Sequence, residues 1–182
     1  MPIASVILAA GRSRRLGEPK ALVELDGERV LDRLVRVYAA ANLDPVRVVV
    51  SDAIANEVPA PAVAVLSDPD REMIDSLIVG LTNLGDVAGA VVQPVDAPFT
   101  SGAMLDALVA RAGDRFRVLK HEGRPGHPVF IPAARFADVF NRPEGGLRRL
   151  LDHDLESIEW NDDLILADLD RPEDVRYWRS RS

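Results

Sequence analysis

The 182-residue sequence lacks cysteine, a surplus of positive charge and any long apolar run. Without cysteine it can form no disulfide, thiolate metal site or cysteine nucleophile, and we expect a reducing compartment, the cytoplasm. A formal net charge of −7 argues against general nucleic-acid binding, because binding to a phosphate backbone requires clustered lysine and arginine. The apolar stretch near the N-terminus is too short to span a membrane and has no charged stretch ahead of it, so we expect neither a signal peptide nor a membrane protein.

The composition is typical of a globular protein. Hydrophobic residues make up 47% of the chain and charged residues 28%, and we find no internal repeat, low-complexity tract or linker. A chain of this length can bury the core of one domain, so we expect a single domain over residues 1–182.

Apolar runs of strand length alternate with segments of helical period, which predicts an α/β fold with a mainly parallel twisted sheet and helices on both faces. Helices are predicted at Leu31–Tyr38 and Ile74–Leu81 by their i, i+3, i+4, i+7 spacing, and after Ser101, a favourable N-cap. Four runs are uniformly apolar and predict central strands: Ile3–Ala9, Val46–Ser51, Val63–Leu66 and Ala90–Pro94.

The second half of the chain has a less regular order. Phe116–Leu119 and Pro128–Ile131 flank a turn-rich segment, residues 121–126, that predicts a hairpin or an active-site loop. The elements predicted to follow are short helices at Ala134–Phe140 and Gly146–Leu151, strands at Leu155–Glu159 and Leu164–Ala167, and a closing helix from Pro172.

The first strand leads directly into a turn of small residues followed by concentrated positive charge, between Ala9 and Lys20. Ligands in open α/β sheets bind at the carboxyl ends of strands. Small residues let backbone N–H groups approach phosphate oxygens, while arginine and lysine supply charge that strengthens as a transferring phosphate develops its own. The segment therefore predicts a site for NTP phosphates. A turn leaving a strand at a solvated edge would explain the glycines alone.

Two common nucleotide motifs do not fit this loop. A Walker loop has a shorter spacing between its glycines and a lysine directly after the second, whereas Glu18 follows Gly17 here. The dinucleotide fingerprint would need glycine in place of Ser13. The pattern Leu-Ala-Ala-Gly-x-Ser-x-Arg-x-Gly-x-x-Lys, from Leu8 to Lys20, instead resembles the signature of the molybdenum cofactor cytidylyl- and guanylyltransferases.

The resemblance extends from Leu8 to Asp174 and implies a three-layer, Rossmann-like fold of the nucleotide-diphospho-sugar transferase (GT-A-like) type. It implies an Mg²⁺-dependent enzyme that moves the nucleoside monophosphate of an NTP to a phosphorylated small acceptor, molybdopterin, and releases pyrophosphate. It also implies that the protein partner is a molybdoenzyme or its chaperone. The loop favours CTP, since guanylyl relatives usually carry a second glycine beside Gly11.

The same resemblance assigns residues to the nucleotide. Arg15 and Lys20 would neutralise its phosphates and act in catalysis. The full set of nucleotide-binding candidates is Leu8, Ala9, Ala10, Gly11, Ser13, Arg15, Lys20 and Ser76.

Mg²⁺ typically takes one or two carboxylates from a protein and neutralises phosphate oxygens during nucleotidyl transfer. Asp96 follows a buried strand directly before a proline-fixed turn, and it resembles the family's Asp-x-Pro element, which implies a metal-binding and catalytic role. Asp168 and Asp170 should lie on one side of an extended segment. The family's Asp-x-Asp-x-Pro-Glu-Asp ending assigns the metal to Asp170 first and Asp168 second. Alternatively, Asp170 only caps the helix that begins at Pro172.

Two further elements resemble the acceptor side of the family. Gly126-His127-Pro128-Val129 looks like an element of the cytidylyltransferase branch, and Gly145–Leu151 stands where relatives carry Gly-x-Arg-x-Leu-Leu. The resemblance therefore places the acceptor near His127 and Arg148. The alternatives are a structural histidine and a solvent-exposed helix face.

One segment departs from the family pattern. Related cytidylyltransferases usually read Gly-Met-Ser-Ser-Ser-Leu after the third strand, whereas this chain reads Glu72-Met73-Ile74-Asp75-Ser76-Leu77, with two acidic residues near the expected base and sugar. Two alternatives therefore stay open. One is a nucleotidyltransferase for a sugar phosphate or an isoprenoid-precursor phosphate, and the other is a non-catalytic nucleotide-binding accessory protein.

Overall fold

The computed structural model describes residues 1–110, 113–152 and 154–180. Within these ranges nine strands form, in chain order β1 Ile3–Ala9, β2 Glu24–Leu25, β3 Glu28–Arg29, β4 Val46–Val50, β5 Val63–Leu66, β6 Gly89–Pro94, β7 Phe116–His121, β8 Arg124–Pro132 and β9 Leu155–Glu159. The same ranges contain six α-helices, α1 Val30–Ala40, α2 Met73–Leu81, α3 Gly102–Val109, α4 Phe136–Phe140, α5 Gly146–Leu151 and α6 Pro172–Arg179.

The main sheet has the strand order β5-β4-β1-β6-β8-β7-β9, and β2 pairs separately with β3. Strands β5, β4, β1 and β6 run parallel, β8 is antiparallel to both of its neighbours, and β9 runs parallel to β7. The mainly parallel α/β fold predicted from the sequence is confirmed. Because β8 is antiparallel to β6, its first residues lie at the same edge as the carboxyl ends of β1 and β6.

Helices cover both faces of the sheet, as the alternation of apolar segments predicted. Ile7 and Ala9 of β1 belong to one buried cluster, with side chains from α1, α3 and α6. Val6 and Leu8 belong to a second cluster on the opposite face, with side chains from α2 and α4 and the partly buried leucines of α5. No helix within the described ranges is long and apolar enough to cross a membrane.

Most of the predicted elements form where the sequence placed them. Ser101 is the N-cap of α3, where its hydroxyl accepts a hydrogen bond from the Met104 N–H at 3.3 Å. The turn-rich segment is the tip of the β7–β8 hairpin, where Glu122 and Gly123 both have positive φ angles, as a tight hairpin turn requires. The closing helix begins at Pro172.

The prediction that Val63–Leu66 is a central strand is wrong. The strand forms, but β5 is the edge of the sheet, and Val63 and Leu66 are 56% and 57% exposed. An apolar run predicts that a strand forms, whereas its place in the sheet depends on which distant segments pair with it.

The prediction of a strand at Leu164–Ala167 is also wrong. Asp163–Leu166 is a turn of 3₁₀ helix, because the carboxylate of Asp162 accepts a hydrogen bond from the Leu164 N–H at 3.0 Å. Short aspartate side chains compete in this way with extended structure.

Candidate active site

Two cavities open side by side at the carboxyl edge of β1 and β6. The first, here called the glycine-loop cavity, has a volume of about 430 Å³ and is lined by residues 8–15 with Lys20, Asp68–Pro69, Arg71 and parts of α2 and the β6 turn. The second, here called the hairpin cavity, has a volume of about 790 Å³ and lies between the β7–β8 hairpin, α2, α5 and residues 165–168. The two cavities share the lining residues Leu8, Met73, Pro94 and Asp96.

Every predicted nucleotide-binding residue lines the glycine-loop cavity, namely Leu8, Ala9, Ala10, Gly11, Ser13, Arg15, Lys20 and Ser76. A methyl group added at Gly11 would meet no protein atom within 4 Å, so the protein itself does not require glycine there. The structure thus brings these residues together around one space, while their contacts with a nucleotide stay a prediction.

Ser13 shapes the loop that carries Lys20. It has a positive φ of 47°, and its hydroxyl accepts a hydrogen bond from the backbone N–H of Lys20 at 3.0 Å. Its carbonyl oxygen accepts from the N–H groups of Leu16 and Gly17 at 3.0 and 3.3 Å. The serine of the loop pattern therefore folds the loop back onto itself and fixes where the lysine begins.

Lys20 joins two of the predicted metal ligands. Its Nζ lies 3.0 Å from Oδ2 of Asp96 and 2.6 Å from Oδ1 of Asp170, and Arg15 donates to the other Asp170 oxygen at 2.6 Å. Burial lowers the pKa of Lys20, but its contacts with Asp170 and Asp96 outweigh this effect and leave the pKa raised. The hydrogen bond from Lys20 also lowers the pKa of Asp170. Both groups are therefore charged at neutral pH.

Asp96, Asp168 and Asp170 form a carboxylate cluster in which one oxygen from each residue lies within 4.8 Å of the others. Burial, together with the charges of Asp96 and Asp170, raises the pKa of Asp168. Among the described residues, Asp168 forms no ion pair within 4 Å. Lys20 offsets part of the repulsion within this cluster, and a set of three oxygen donors fits a hard divalent cation such as Mg²⁺. Asp168, the second choice from the sequence, is as much a part of the cluster as Asp170.

Backbone hydrogen bonds hold this cluster together across the chain. The Leu169 N–H donates to the Asp96 carbonyl at 2.9 Å, and this bond connects the segment that carries Asp168 and Asp170 to the β6 turn. The carboxylate of Asp174 accepts from the N–H groups of Asp170 and Arg171 at 2.9 and 2.7 Å. Asp174 therefore stabilises the start of α6, and the alternative that Asp170 serves only as its cap is wrong.

Gln93 fixes the turn that carries Asp96, and the sequence did not predict this role. Gln93 is fully buried, and its Oε1 accepts hydrogen bonds from the Tyr38 hydroxyl at 2.6 Å and from Thr100. Its amide donates to the Ala97 carbonyl. Burial raises the pKa of Tyr38 well above its usual value, so Tyr38 stays a neutral donor. An amide within an otherwise apolar strand was the available signal, because buried polar groups need partners.

Among the residues that the structure describes, five basic side chains line the glycine-loop cavity, and each is paired with a carboxylate. Two of the five are Lys20 and Arg15, described above. Arg12 and Arg14 both pair with Asp70, and the distance from Arg14 is 3.6 Å. Arg71 lies 4.0 Å from Asp68. The sequence did not predict these pairs, and the two that involve Asp70 connect the loop after β1 to the loop before α2.

His127 and Arg148, the predicted acceptor-side residues, both line the hairpin cavity, and Arg124 joins them there. Nδ1 of His127 is buried and has no hydrogen-bond partner among the described residues. Burial lowers the pKa of His127 more than the nearby charge of Asp96 raises it, so the ring is neutral at pH 7. A methyl group at Gly126 would lie 2.3 Å from the Ile165 carbonyl oxygen, so only glycine allows this close packing beside His127.

The acidic residues that depart from the family pattern are directed away from both cavities. Asp75 pairs with Arg142 at 3.1 Å, and Glu72 lies 3.6 Å from the same guanidinium. Met73 and Ser76 from this segment line the glycine-loop cavity, whereas Glu72 and Asp75 line neither cavity. Arg142 can neutralise one of the two negative charges expected beside the base and sugar.

Comparison with known proteins agrees with this geometry. The chain is 34% identical over 116 residues to a molybdenum cofactor guanylyltransferase of Xanthomonas euvesicatoria, a match that covers 63% of this chain and 57% of that protein. It is 29% identical over 188 residues to the purine catabolism protein PucB of Bacillus subtilis, covering 93% and 92%. The solved structure of Rv0371c from Mycobacterium tuberculosis superimposes with a TM-score of 0.85 at 25% identity, covering 99% of each chain.

The chain spans less than two thirds of the length of the guanylyltransferases that it matches. The MobA-like NTP transferase domain matches residues 5–158, which include the glycine loop, Asp96 and the hairpin. This match covers most of the sequence, and the chain therefore belongs to the MobA-like NTP transferase family.

Proposed function

We propose that this protein is a nucleotidyltransferase that moves CMP from CTP to the phosphate of molybdopterin and releases pyrophosphate. The observation that carries the proposal is the shared border of the two cavities at Asp96, beside Lys20 and the other two carboxylates. An NTP in the glycine-loop cavity and a phosphorylated acceptor in the hairpin cavity would meet at this border. Holding both reactants in one orientation lowers the barrier to a bimolecular step.

The residues of the glycine-loop cavity suit the nucleotide. Gly11 leaves space for close approach, and Arg15 and Lys20 provide positive charge for the phosphates. Asp96, Asp168 and Asp170 would hold Mg²⁺. When bound, this cation would neutralise negative charge on the phosphate oxygens. Ser13 would contribute by positioning Lys20, and Gln93 by positioning the turn that carries Asp96.

The residues of the hairpin cavity suit an acceptor that is already a nucleophile. A phosphate monoester has a second pKa of about 6 and is largely ionised at neutral pH, so the reaction needs no general base. A neutral His127 can donate or accept one hydrogen bond without adding charge, while Arg148 attracts an anion.

The preference for CTP rests on Ala10. The side chain of this residue stands where guanylyl relatives usually carry a second glycine, and Ala10 lines the glycine-loop cavity. A methyl group there narrows the approach to the base, which favours the smaller pyrimidine. We also propose that the product passes to a molybdoenzyme or its chaperone, and that the reaction takes place in the cytoplasm.

The test is pyrophosphate release measured with each of the four NTPs, with and without Mg²⁺, and with and without molybdopterin. We expect release only when CTP, metal and molybdopterin are all present. Release with GTP would overturn the base preference, and release only with a sugar phosphate or an isoprenoid-precursor phosphate would overturn the acceptor. Binding of NTP without pyrophosphate release under any of these conditions would favour the accessory protein. Glu72 and Asp75 both lie beside Arg142 and line neither cavity, which weakens the main reason for that alternative.

A further inference from the structure

The segment that departs from the family pattern contacts a part of the molecule that lies far away in the chain. The Arg142 guanidinium donates to one carboxylate oxygen of Asp75 at 3.2 Å and lies 3.1 Å from the other, so the contact is bidentate. Asp75 belongs to α2, whereas Arg142 stands between α4 and α5. Neither side chain lines a cavity, and the proposed reaction gives neither of them a role.

This contact is partly shielded from water. The side chain of Asp75 is 15% exposed and that of Arg142 is 48% exposed. A bidentate arginine–carboxylate pair with one largely buried member holds its two segments in one geometry better than a fully exposed pair, because water competes less for its hydrogen bonds. Glu72 lies 3.6 Å from the same guanidinium, but its side chain is 80% exposed, so it adds charge and little order.

The helix that follows Arg142 has few other constraints. No residue of α5 is fully buried, and no side chain forms a hydrogen bond at its N-cap, Gly145. Gly145 and Gly146 have φ angles of 84° and 64°, a region that glycine adopts with little strain. The leucines of α5 are only partly buried, against the cluster that contains α2 and α4 side chains. The position of α5 therefore depends on how the segment before it is anchored.

The ion pair joins two helices that border the proposed substrates. Residues 145–148 and Leu151 line the hairpin cavity. On α2, Met73 lines both cavities and Ser76 lines the glycine-loop cavity. A change in the separation of α2 and α5 would therefore change the width of the hairpin cavity.

We infer that Asp75 and Arg142 are positioning residues, which hold α5 against α2 and so set the width of the hairpin cavity around the acceptor. The pair acts from outside the cavity and contacts neither substrate. Its effect on the acceptor rests on the proposed function, whereas its effect on α5 can be measured without any substrate.

A cysteine introduced on α5 measures the position of this helix, because the chain has no cysteine of its own. Leu150 is partly buried against the cluster that contains α2 side chains, and it lines neither cavity. In Leu150→Cys, alkylation of the thiol by iodoacetamide should become faster when α5 moves away from α2. We expect Asp75→Asn and Arg142→Gln each to raise this rate about fivefold, the effect of losing one partly exposed ion pair. The double variant should be no faster than the faster single variant, because the two side chains act as one pair.

Arg149→Gln is the matched control. It also removes a positive charge close to the thiol, but Arg149 is exposed, forms no ion pair within the described ranges and lines neither cavity. We expect it to change the alkylation rate by less than about twofold. Circular dichroism checks that each variant is folded.

Pyrophosphate release in the protein with its own Leu150 measures the effect on the acceptor. Asp75→Asn and Arg142→Gln should each raise the KM for the acceptor about fivefold and change kcat and the KM for CTP by less than about twofold. The nucleotide is spared because the buried side chains of Leu77 and Leu81 hold α2 on the sheet. A general loss of folded protein would instead lower kcat and leave both KM values unchanged.

Four results would overturn the inference: equal alkylation rates in all variants, additive effects of the two substitutions, alkylation of Leu150→Cys as fast as that of free cysteine, or an unchanged acceptor KM in an active enzyme. Failure of the proposed function would appear instead as absent pyrophosphate release in the unaltered protein. The alkylation rates would in that case still show whether the pair holds α5.

Discussion

The glycine-loop cavity and the hairpin cavity share a border, yet their positive charges are in opposite states. On the first side, Lys20 is bonded to two carboxylates and Arg12 is paired with Asp70. On the second side, Arg124 and Arg148 have no such partner among the described residues. The cations of the first cavity are thus held in ion pairs, whereas the two arginines of the second cavity have no ion-pair partner among the described residues.

The difference indicates two ways of preparing a site for an anion. Ion pairs hold the cations of the glycine loop in place, so a nucleotide in the proposed site would gain from their order but would have to compete with the aspartates. The arginines of the hairpin cavity face no competitor, but a ligand must reduce the freedom of two long side chains.

Lys20→Ala should have the largest effect. It removes the one cation in the described part of the chain that contacts both Asp96 and Asp170, so we expect the rate of nucleotidyl transfer to fall about 10³-fold. Pyrophosphate release measures the rate. Lys120→Ala is the matched control, since Lys120 lines neither cavity, and it should keep the rate of the unaltered protein. A rate for Lys20→Ala within tenfold of the unaltered protein would contradict the assignment.

Gly11→Ala should weaken NTP binding about tenfold or more, because the added methyl group occupies the cavity. The melting temperature should change by less than about 2 °C, since the methyl group meets no protein atom within 4 Å. Gly102→Ala adds an equally unopposed methyl group at the start of α3, away from both cavities, and should leave the NTP affinity unchanged. Unchanged nucleotide affinity in Gly11→Ala would place the ligand elsewhere.

Asp70→Asn would make the glycine-loop cavity more like the hairpin cavity. It releases Arg12 and Arg14, so the affinity for NTP should rise about three- to fivefold, as expected for loss of exposed ion pairs. The affinity should also fall more steeply with added salt. Asp86→Asn changes the charge equally at an exposed loop position and should have no such effect. If the affinity falls, Asp70 orders the arginines more than it competes for them.

His127→Gln should have the smallest effect, on the pH dependence of stability. Burial holds the pKa of His127 below that of the unfolded chain, so the unfolded chain takes up the proton first as the pH falls through about 6.5. The native state therefore loses stability on acidification, and glutamine should reduce this loss. Urea unfolding between about pH 7.5 and 5.5 measures it, and equal slopes for the two proteins would show that His127 contributes nothing.

The sequence predicted well what depends on neighbouring residues. The segment from Leu8 to Lys20 combines a strand, small residues and positive charge within a few positions, so the cavity around it followed from local chemistry. The N-cap at Ser101 and the hairpin tip near Gly123 followed from similar local signals. The site roles themselves stay predictions until they are measured.

Features that depend on distant partners could not be predicted. Nothing near Glu72 or Asp75 in the sequence shows that Arg142 will lie beside their carboxylates. Nothing near Arg12 shows that Asp70 will pair with it. The exposed position of β5 also depends on the pairing of the whole sheet. Such contacts join segments far apart in the chain, and a single sequence does not record which of them meet.

The hydrogen bond between the Leu169 N–H and the Asp96 carbonyl has a consequence for the order of assembly. By the time a ribosome has added Trp160, the glycine loop, the β6 turn and every strand of the main sheet within the described ranges have been made. Two of the three clustered carboxylates, Asp168 and Asp170, are still to come. The segment that carries them must then close onto the sheet, so a nascent chain can form its glycine loop before it can bring the three carboxylates together.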